Sequence, residues 1–203
     1  MGDGYGRPLE FIGLPRVRTA PAGPGHDFHW TDDTHMALYL AEAALDHGPG
    51  PLDIERFAHC VGTQFVRWLE DPLTPSTAPG NTCLAGTRAW RRSRDWTQSG
   101  VRRSDGCGAV MRVCPLPITF DGEELLAAAS TQALITHGHP NAPDAAVAAC
   151  WITRRLLLGE QLEPQLVRAA AGLLDPKAAT ARALLAAVDL AQRSDREWLD
   201  EAA

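Results

Sequence analysis

A run of oxygen-bearing side chains near the start of the chain has the residue types that bind a divalent cation. It reads Trp30-Thr31-Asp32-Asp33-Thr34, and an apolar helical pattern follows it from Met36 onward. Carboxylate and hydroxyl oxygens are the ligands that Mg²⁺ and Mn²⁺ prefer. The same residues also suit a helix start, with Thr31 as the N-cap and both aspartates facing the positive end of the helix dipole. The segment alone leaves both interpretations open.

The chain begins with a glycine-rich segment that contains one isolated carboxylate. In Gly2-Asp3-Gly4-Tyr5-Gly6-Arg7-Pro8-Leu9-Glu10-Phe11, the glycines allow a ligand or a helix to approach the backbone closely. Glu10 lies between two apolar residues, and it is interpreted either as an exposed surface carboxylate or as part of a site.

A second glycine-rich segment, Ser104-Asp105-Gly106-Cys107-Gly108-Ala109-Val110-Met111-Arg112, suits an anion. Small residues of this kind can direct several backbone N–H groups at a phosphate. The segment is not a Walker loop, because no Gly-Lys-Ser/Thr follows it. A tight turn that needs glycine for steric reasons explains the same residues.

Histidine offers a third kind of chemistry in Thr136-His137-Gly138-His139-Pro140. A neutral imidazole at the end of a helical pattern can hydrogen-bond sugar hydroxyls, although a helix-terminal histidine is also favoured by the dipole alone. A metal-dependent hydrolase with a zinc pair at His137-x-His139 is an alternative. That alternative would leave Asp32 and Asp33 without a role.

The composition is that of an ordinary globular domain. The chain has 203 residues, of which 45% are hydrophobic and 22% charged, and its net charge is -6. An acidic balance argues against a general nucleic-acid binder, and no apolar run reaches the roughly 18 residues of a membrane span. Five scattered cysteines without Cys-x-x-Cys spacing indicate reduced thiols. We therefore expect a cytoplasmic protein that binds neither nucleic acid nor a membrane.

Helical periodicity dominates the elements that must position these segments. Apolar spacing predicts helices over 35–47, 54–68, 125–135 and 142–158, and two more from the apolar residues of 162–173 and 184–188. No stretch shows the alternation of a strand. The prediction is an all-α fold with long functional loops at 13–27, 71–82 and 99–108.

Taken in order along the chain, these segments resemble the motifs of the ADP-ribosylglycohydrolase family, which includes dinitrogenase-reductase-activating glycohydrolase. The family pattern is matched by Gly2 to Glu10, Thr31-Asp32-Asp33-Thr34, Gly80-Asn81-Thr82, Ser104 to Arg112 followed by Pro115-Leu116, and Thr136-His137. The motifs cover residues 2 to about 158, and the remainder is similar only in helical character.

The resemblance implies an orthogonal helical bundle with a dinuclear Mg²⁺ or Mn²⁺ centre. By analogy, Thr31, Asp32 and Asp33 would be metal ligands, and Glu10 would act with Asp32 and Asp33 as the catalytic carboxylates. A carboxylate can assist proton transfer as oxocarbenium character develops in glycosidic hydrolysis.

The resemblance also implies the substrate and its contacts. Ser104, Gly106, Cys107, Gly108 and His137 would bind it, with the glycine loop on the diphosphate and His137 on the ribose. The reaction would hydrolyse the bond between ADP-ribose and a protein side chain, often arginine, or a small ADP-ribose conjugate.

One departure from the family pattern affects these expectations. The second metal-ligand motif, Asp-x-Asp-Thr, has no match in the tail, where the aspartates stand alone. We therefore expect residues 1–203 to form a single but incomplete domain, truncated at both ends. Without cations, paired carboxylates would repel and one pKa would rise. A non-catalytic ADP-ribose-binding or structural relative, or an inactive fragment, is the alternative function.

Overall fold

The computed structural model describes residues 2–9 and 29–192, and over these ranges it is helical with no strand. An isolated parallel bridge joins Val101 to His137. The α-helices in chain order are α1 (Gly2–Gly6), α2 (Asp32–His47), α3 (Ile54–Glu70), α4 (Asn81–Ser93), α5 (Trp96–Ser99), α6 (Leu116–Thr119), α7 (Gly122–Thr136), α8 (Asn141–Leu157), α9 (Pro164–Ala171) and α10 (Ala179–Ala191). The all-α prediction is confirmed.

Side-chain capping sets the start of the helices nearest the candidate site. The Thr31 hydroxyl accepts a hydrogen bond of 3.3 Å from the Asp33 N–H, so Thr31 is the N-cap of α2. The helix therefore begins at Asp32, three residues before the predicted start, because the acidic pair forms its first turn. It ends at His47, and the C-cap residue Gly48 has a φ of 78°, which favours glycine.

The predicted apolar face of α3 forms the centre of the core. Phe57, Val61, Phe65 and Trp68 are buried, as their spacing requires, whereas Ile54, the first apolar residue of the predicted face, is exposed. Helix α3 packs against α2 on one side and α4 on another. A Cβ on Gly62 would collide with the Trp90 ring, so a glycine is needed where α4 crosses α3.

Helix α4 was not predicted by periodicity. Its sequence carries Thr82, Arg88, Arg91 and Arg92 among few apolar residues, so its apolar stripe is short. It packs against α3 and α7, and the buried Trp90 and Cys83 face the core. The segment predicted as a loop, 71–82, contains the 3-10 turn Thr74–Thr77 and ends where α4 begins.

Helix α9 is shorter than its apolar residues suggested, whereas α10 (Ala179–Ala191) extends beyond 184–188 at both ends. Helix α9 begins at Pro164, because proline is favoured in a first turn, and it ends before Gly172. Leu162 and Leu173, included in the predicted helix, therefore lie outside it and are exposed. Helices α9 and α10 pack on each other and on α8. Within the described ranges, no helix is long and apolar enough to cross a membrane.

Candidate functional site

Asp3 ties the first glycine-rich segment to the start of α2. Its carboxylate accepts hydrogen bonds from the Thr31 hydroxyl at 2.8 Å and from the Thr34 hydroxyl at 2.6 Å. It also accepts from the backbone N–H groups of Thr31 and Thr34, at 2.8 and 3.4 Å. One carboxylate thus satisfies donors that a helix N-terminus leaves free. No role for Asp3 is predictable from the sequence, since its contacts join residues 28 and 31 positions apart.

The two carboxylates beside this helix start are perturbed in opposite directions. Burial raises the pKa of Asp3, but the hydrogen bonds from Thr34 and Thr31 outweigh it and hold the pKa below its usual value. Burial and the negative charge of Asp3 raise the pKa of Asp33. The expected repulsion between carboxylates is therefore present, but the charge that acts on Asp33 is that of Asp3.

Asp32 connects the start of α2 to the start of α4. Its Oδ2 accepts a 3.0 Å hydrogen bond from the backbone N–H of Gly80, the N-cap residue of α4. A Cβ built on Gly80 would lie 3.8 Å from both Asp32 Oδ2 and Cys83 Sγ, which shows how closely the three residues approach. The Gly80-Asn81-Thr82 motif is thus adjacent to the acidic motif.

The second glycine-rich segment packs directly against this group. A Cβ on Gly108 would lie 2.6 Å from Cys83 Sγ and 2.9 Å from His137 Cε1, so a larger residue would displace one of them. Gly106 is less confined, since its nearest neighbours would be Ser104 Oγ at 3.6 Å and His137 Nε2 at 3.9 Å. Ser104 Oγ is also 2.7 Å from the Thr82 hydroxyl of α4.

The backbone of this loop retains free donors. Among the described residues, the N–H groups of Gly106, Cys107 and Gly108 have no hydrogen-bond acceptor. Cys107 is exposed and opens the 3-10 turn Cys107–Ala109. Successive free N–H groups of this kind attract an anion.

His137 is buried beside the loop and neutral at physiological pH. The short bridge to Val101 fixes its backbone, with the Val101 N–H donating to Thr136 O at 3.0 Å and the Gly138 N–H donating to Val101 O at 3.1 Å. Burial and the charge of Arg112 lower the pKa of His137 to about 4. A neutral imidazole can exchange hydrogen bonds with a ligand without adding charge.

The structure thus brings most of the predicted residues into one region. A continuous series of neighbours starts at Asp32 in α2 and continues through Gly80 and Cys83 at the start of α4. It then passes through Gly108 of the second glycine-rich segment to His137 at the end of α7. Thr31 and Asp33 lie at one end of this series, and Ser104, Gly106 and Cys107 at the other. Glu10 lies outside the described residues.

Arg112 is a buried residue that the sequence analysis quoted only as the end of a motif. Its guanidinium is fully buried and donates to the Gln132 side chain, the Gln132 carbonyl and the Thr136 hydroxyl, at 2.7, 3.0 and 2.7 Å. A buried charge is rare unless it is partnered, so its position after Gly-Ala-Val-Met in an apolar stretch was the available signal.

The metal interpretation rests on the chemical type of the donors. Thr31, Asp32 and Asp33 present only hydroxyl and carboxylate oxygens, the donors that Mg²⁺ and Mn²⁺ prefer, and none of the Cys or His ligands that are typical of zinc sites. Within the described ranges, no group of three or more His, Cys, Asp or Glu side chains is arranged to hold an ion. His139 is also committed elsewhere, since its Nδ1 accepts from the Asn141 N–H at 3.2 Å.

Known proteins are similar to this chain over much of its length. A protein of Archaeoglobus fulgidus described as uncharacterized is 30% identical over 130 residues, covering 59% of this chain and 40% of that protein. An ADP-ribosylarginine hydrolase Tri1 of Serratia proteamaculans is 27% identical over 176 residues, covering 80% of this chain and 46% of the relative. The Pseudomonas putida protein of that name is 28% identical over 163 residues, covering 74% of this chain and 41% of the relative.

The chain spans less than half the length of each of these three relatives. The sequence profile of the family described as ADP-ribosylglycohydrolase matches all of residues 1–203. The sequence motifs, the helical fold and this match agree, and the chain belongs to the ADP-ribosylglycohydrolase family.

Proposed function

We propose that the protein hydrolyses the N- or O-glycosidic bond between ADP-ribose and an arginine-like protein side chain or a small conjugate. The observation that carries the proposal is the series of contacts from Asp32 through Gly80, Cys83 and Gly108 to His137. It places a carboxylate, free backbone donors and a neutral imidazole side by side. Two relatives that share 27% and 28% identity carry the name ADP-ribosylarginine hydrolase, which favours arginine as the linkage.

The substrate would bind along the loop that begins at Ser104. Its diphosphate would accept hydrogen bonds from the N–H groups of Gly106, Cys107 and Gly108, which no described residue uses. The ribose hydroxyls would bind to His137, whose lowered pKa keeps it uncharged next to the anion. Ser104 would orient the loop through its 2.7 Å contact with Thr82.

The carboxylates at the start of α2 would serve the reacting end of the substrate. Thr31, Asp32 and Asp33 would hold Mg²⁺ or Mn²⁺, and such an ion polarises oxygen ligands and orients water when it is bound. The raised pKa of Asp33 reflects a carboxylate that gains from a nearby cation, since its ionised form is disfavoured by burial and by Asp3. Glu10 is proposed as the carboxylate that assists proton transfer with Asp32 and Asp33.

Calorimetric titration of ADP-ribose into the chain, with and without Mn²⁺, tests this proposal. We expect binding that requires the metal and weakens about tenfold or more, at least roughly 1.4 kcal/mol, in Asp32→Asn. Asp53→Asn is the matched control, because the Asp53 carboxylate also accepts a hydrogen bond from a backbone N–H, that of Arg56, but lies outside the site. It should bind ADP-ribose like the wild type.

Hydrolysis of ADP-ribosyl-arginine, followed by release of ADP-ribose, then separates the two functions. Metal-dependent release that Asp32→Asn abolishes supports the hydrolase. Binding without release supports the non-catalytic ADP-ribose-binding alternative. An absence of binding with and without Mn²⁺ contradicts a ligand site in this chain.

A further inference from the structure

The buried guanidinium of Arg112 has no carboxylate within ion-pair distance among the described residues, although the charge of Asp32 acts on it from farther away. Within the described ranges it forms no ion pair. Its remaining nitrogen, Nη1, lies 3.5 Å from the Met36 sulfur and 3.7 Å from the Cys83 sulfur, and the guanidinium carbon lies 4.4 Å from the centre of the Phe65 ring. Burial lowers the pKa of Arg112 to about 10, so the side chain keeps its charge at neutral pH. A charge kept in the core without a directly paired counter-ion is expensive, which indicates that the residue has a function.

The hydrogen bond from Arg112 determines how the Thr136 hydroxyl is used. A guanidinium can only donate, so Thr136 Oγ1 accepts the 2.7 Å bond from Arg112. The hydroxyl has one proton to give, and two acceptors are near it. His137 Nδ1 is 2.8 Å away, whereas the Ala133 carbonyl is at 3.5 Å, the outer limit of a hydrogen bond. The shorter contact is the one that receives the proton.

The charge of Arg112 favours the same assignment. A positive group behind Thr136 stabilises a lone pair on the facing imidazole nitrogen and disfavours an N–H there. The same charge, together with burial, lowers the pKa of His137, so one ring nitrogen carries a proton and the other does not. With Nδ1 as the acceptor, Nε2 must be the donor.

The donor side of the ring is the side that faces the loop. Nε2 would lie 3.2 Å from a Cβ on Gly108 and 3.9 Å from one on Gly106, while Nδ1 faces Thr136. Among the described residues, Nε2 has no hydrogen-bond acceptor. The donor therefore stands next to the free N–H groups of the loop.

We propose that Arg112 is a positioning residue that acts through Thr136 to hold His137 as the neutral Nε2–H tautomer. The ring then adds one side-chain donor to the backbone donors of Gly106 and Gly108. All of them suit an acceptor oxygen of the bound ligand, which is ADP-ribose if the proposed function is correct. The tautomer itself does not depend on that function.

Long-range ¹H–¹⁵N correlation spectra of the imidazole rings test the tautomer in the full chain without ligand. His137→Gln identifies the signals of this ring by their loss. We expect the wild type to show a protonated Nε2 and an unprotonated Nδ1 throughout neutral pH. A protonated Nδ1, or signals averaged between the two forms, would overturn the proposal.

Two substitutions at position 136 test how the tautomer is fixed. Thr136→Val keeps the shape and removes the hydroxyl, so the ring signals should shift toward averaging. Thr136→Ser keeps the hydroxyl and should restore the wild-type pattern. Thr131→Val removes another buried hydroxyl of α7 and should leave the His137 signals unchanged. If Thr136→Val does not fold, the wild-type and serine spectra still decide the outcome.

Titration of ADP-ribose into the same proteins separates this proposal from the proposed function. Thr136→Val should lower the affinity about five- to tenfold, the value of one lost hydrogen bond, and Thr136→Ser should recover it. If no protein binds ADP-ribose but the wild type shows the Nε2–H form and Thr136→Val loses it, the proposed function fails and the positioning of His137 through Thr136 stands.

Discussion

At the scale of one residue, the ionised carboxylate of Asp33 in the candidate site lowers the stability of the folded chain. The carboxylate lies in the first turn of α2, where the helix dipole favours a negative charge, yet its pKa is raised by burial and by Asp3. The net effect disfavours the ionised form in the folded chain. A residue kept in such a place is better explained by a ligand than by helix capping, which Thr31 already supplies.

The substitution Asp33→Asn should therefore stabilise the chain in the absence of metal. We expect the free energy of unfolding at pH 7 to rise by about 0.2 to 1 kcal/mol, the range of solvent-screened charge pairs. The folded chain binds the Asp33 proton more tightly than the unfolded chain does. The free energy of unfolding of the wild type consequently falls as the pH rises from the ordinary pKa of 3.8 through the raised pKa of the folded chain. The advantage of Asp33→Asn in unfolding free energy should develop over the same pH range.

Urea unfolding at pH 3 and pH 7, without divalent cations, measures this difference. The two proteins should be close in stability at pH 3 and differ at pH 7. A lower stability of Asp33→Asn at pH 7 would contradict the argument and show that the negative charge supports the helix.

The residue scale also shows the limit of sequence reasoning. Thr31, Asp32 and Asp33 were recognised because their chemistry is local and adjacent in sequence. Asp3 and Arg112 were not assigned roles, because each acts through residues 20 to 31 positions away that only the packed helices bring near. No spacing rule covers such contacts.

At the scale of elements, the loop after Ser104 packs closely against α4 and the end of α7, with little space for additional side-chain atoms at Gly108. Gly106 and Gly108 are two residues apart in one motif, yet their surroundings differ. Gly108 is wedged between Cys83 of α4 and His137 at the end of α7, whereas Gly106 has ordinary van der Waals space. In the sequence, the glycines are compatible both with turn geometry and with the close approach of a ligand. Packing accounts for Gly108.

The two glycines should respond differently to the same substitution. Gly108→Ala should lower the free energy of unfolding by about 1–3 kcal/mol, because its Cβ would overlap Cys83 Sγ and His137 Cε1. Gly106→Ala should remain close to wild type. Adding Cys83→Ala to Gly108→Ala should recover part of the loss. Denaturant unfolding of the four proteins gives the comparison, and equal effects at both glycines would show that the contacts are wrong.

At the scale of the whole molecule, contacts between backbones hold the site together. A Cβ on Gly86 of α4 would lie 2.7 Å from the Thr136 carbonyl oxygen, and one on Gly138 would lie 2.8 Å from the Gly100 carbonyl oxygen. Helix α4, the end of α7 and the segment before the loop therefore meet without side chains between them. A change at such a contact moves several elements at once, since backbone cannot rotate away.

Gly86→Ala should thus destabilise the molecule even though alanine is the better helix former. The gain in helix propensity is about 1 kcal/mol, but the clash with Thr136 should exceed it and leave a net loss of about 1–3 kcal/mol. The exposed neighbour gives the matched control, because Ala85→Gly should cost only the propensity of about 1 kcal/mol. Thermal unfolding measures both, and a stabilised Gly86→Ala would exclude this close approach.

Most helices were predictable because apolar residues recur on the side that faces the core, as in α2, α3, α7 and α8. Helix α4 was not, since glycines and a few large residues provide its contacts in place of an apolar stripe. The ends of α9 were misplaced because leucines outside a helix look the same in sequence as leucines inside one. The order of the motifs predicted the family, and only packing revealed which of their residues touch.

The distribution of thiols over the surface gives the loop a built-in chemical reporter. Cys107 and Cys114 are exposed, whereas Cys83 and Cys150 are buried. Iodoacetamide should therefore alkylate Cys107 and Cys114 first. Cys114 should react more slowly, because its side chain is exposed but its thiol is partly desolvated by neighbouring atoms, which raises its pKa. A diphosphate seated on the loop would shield Cys107 and leave the rate at Cys114 unchanged. Peptide mass spectrometry can follow both sites in one sample, so that occupancy of the loop becomes readable without turnover.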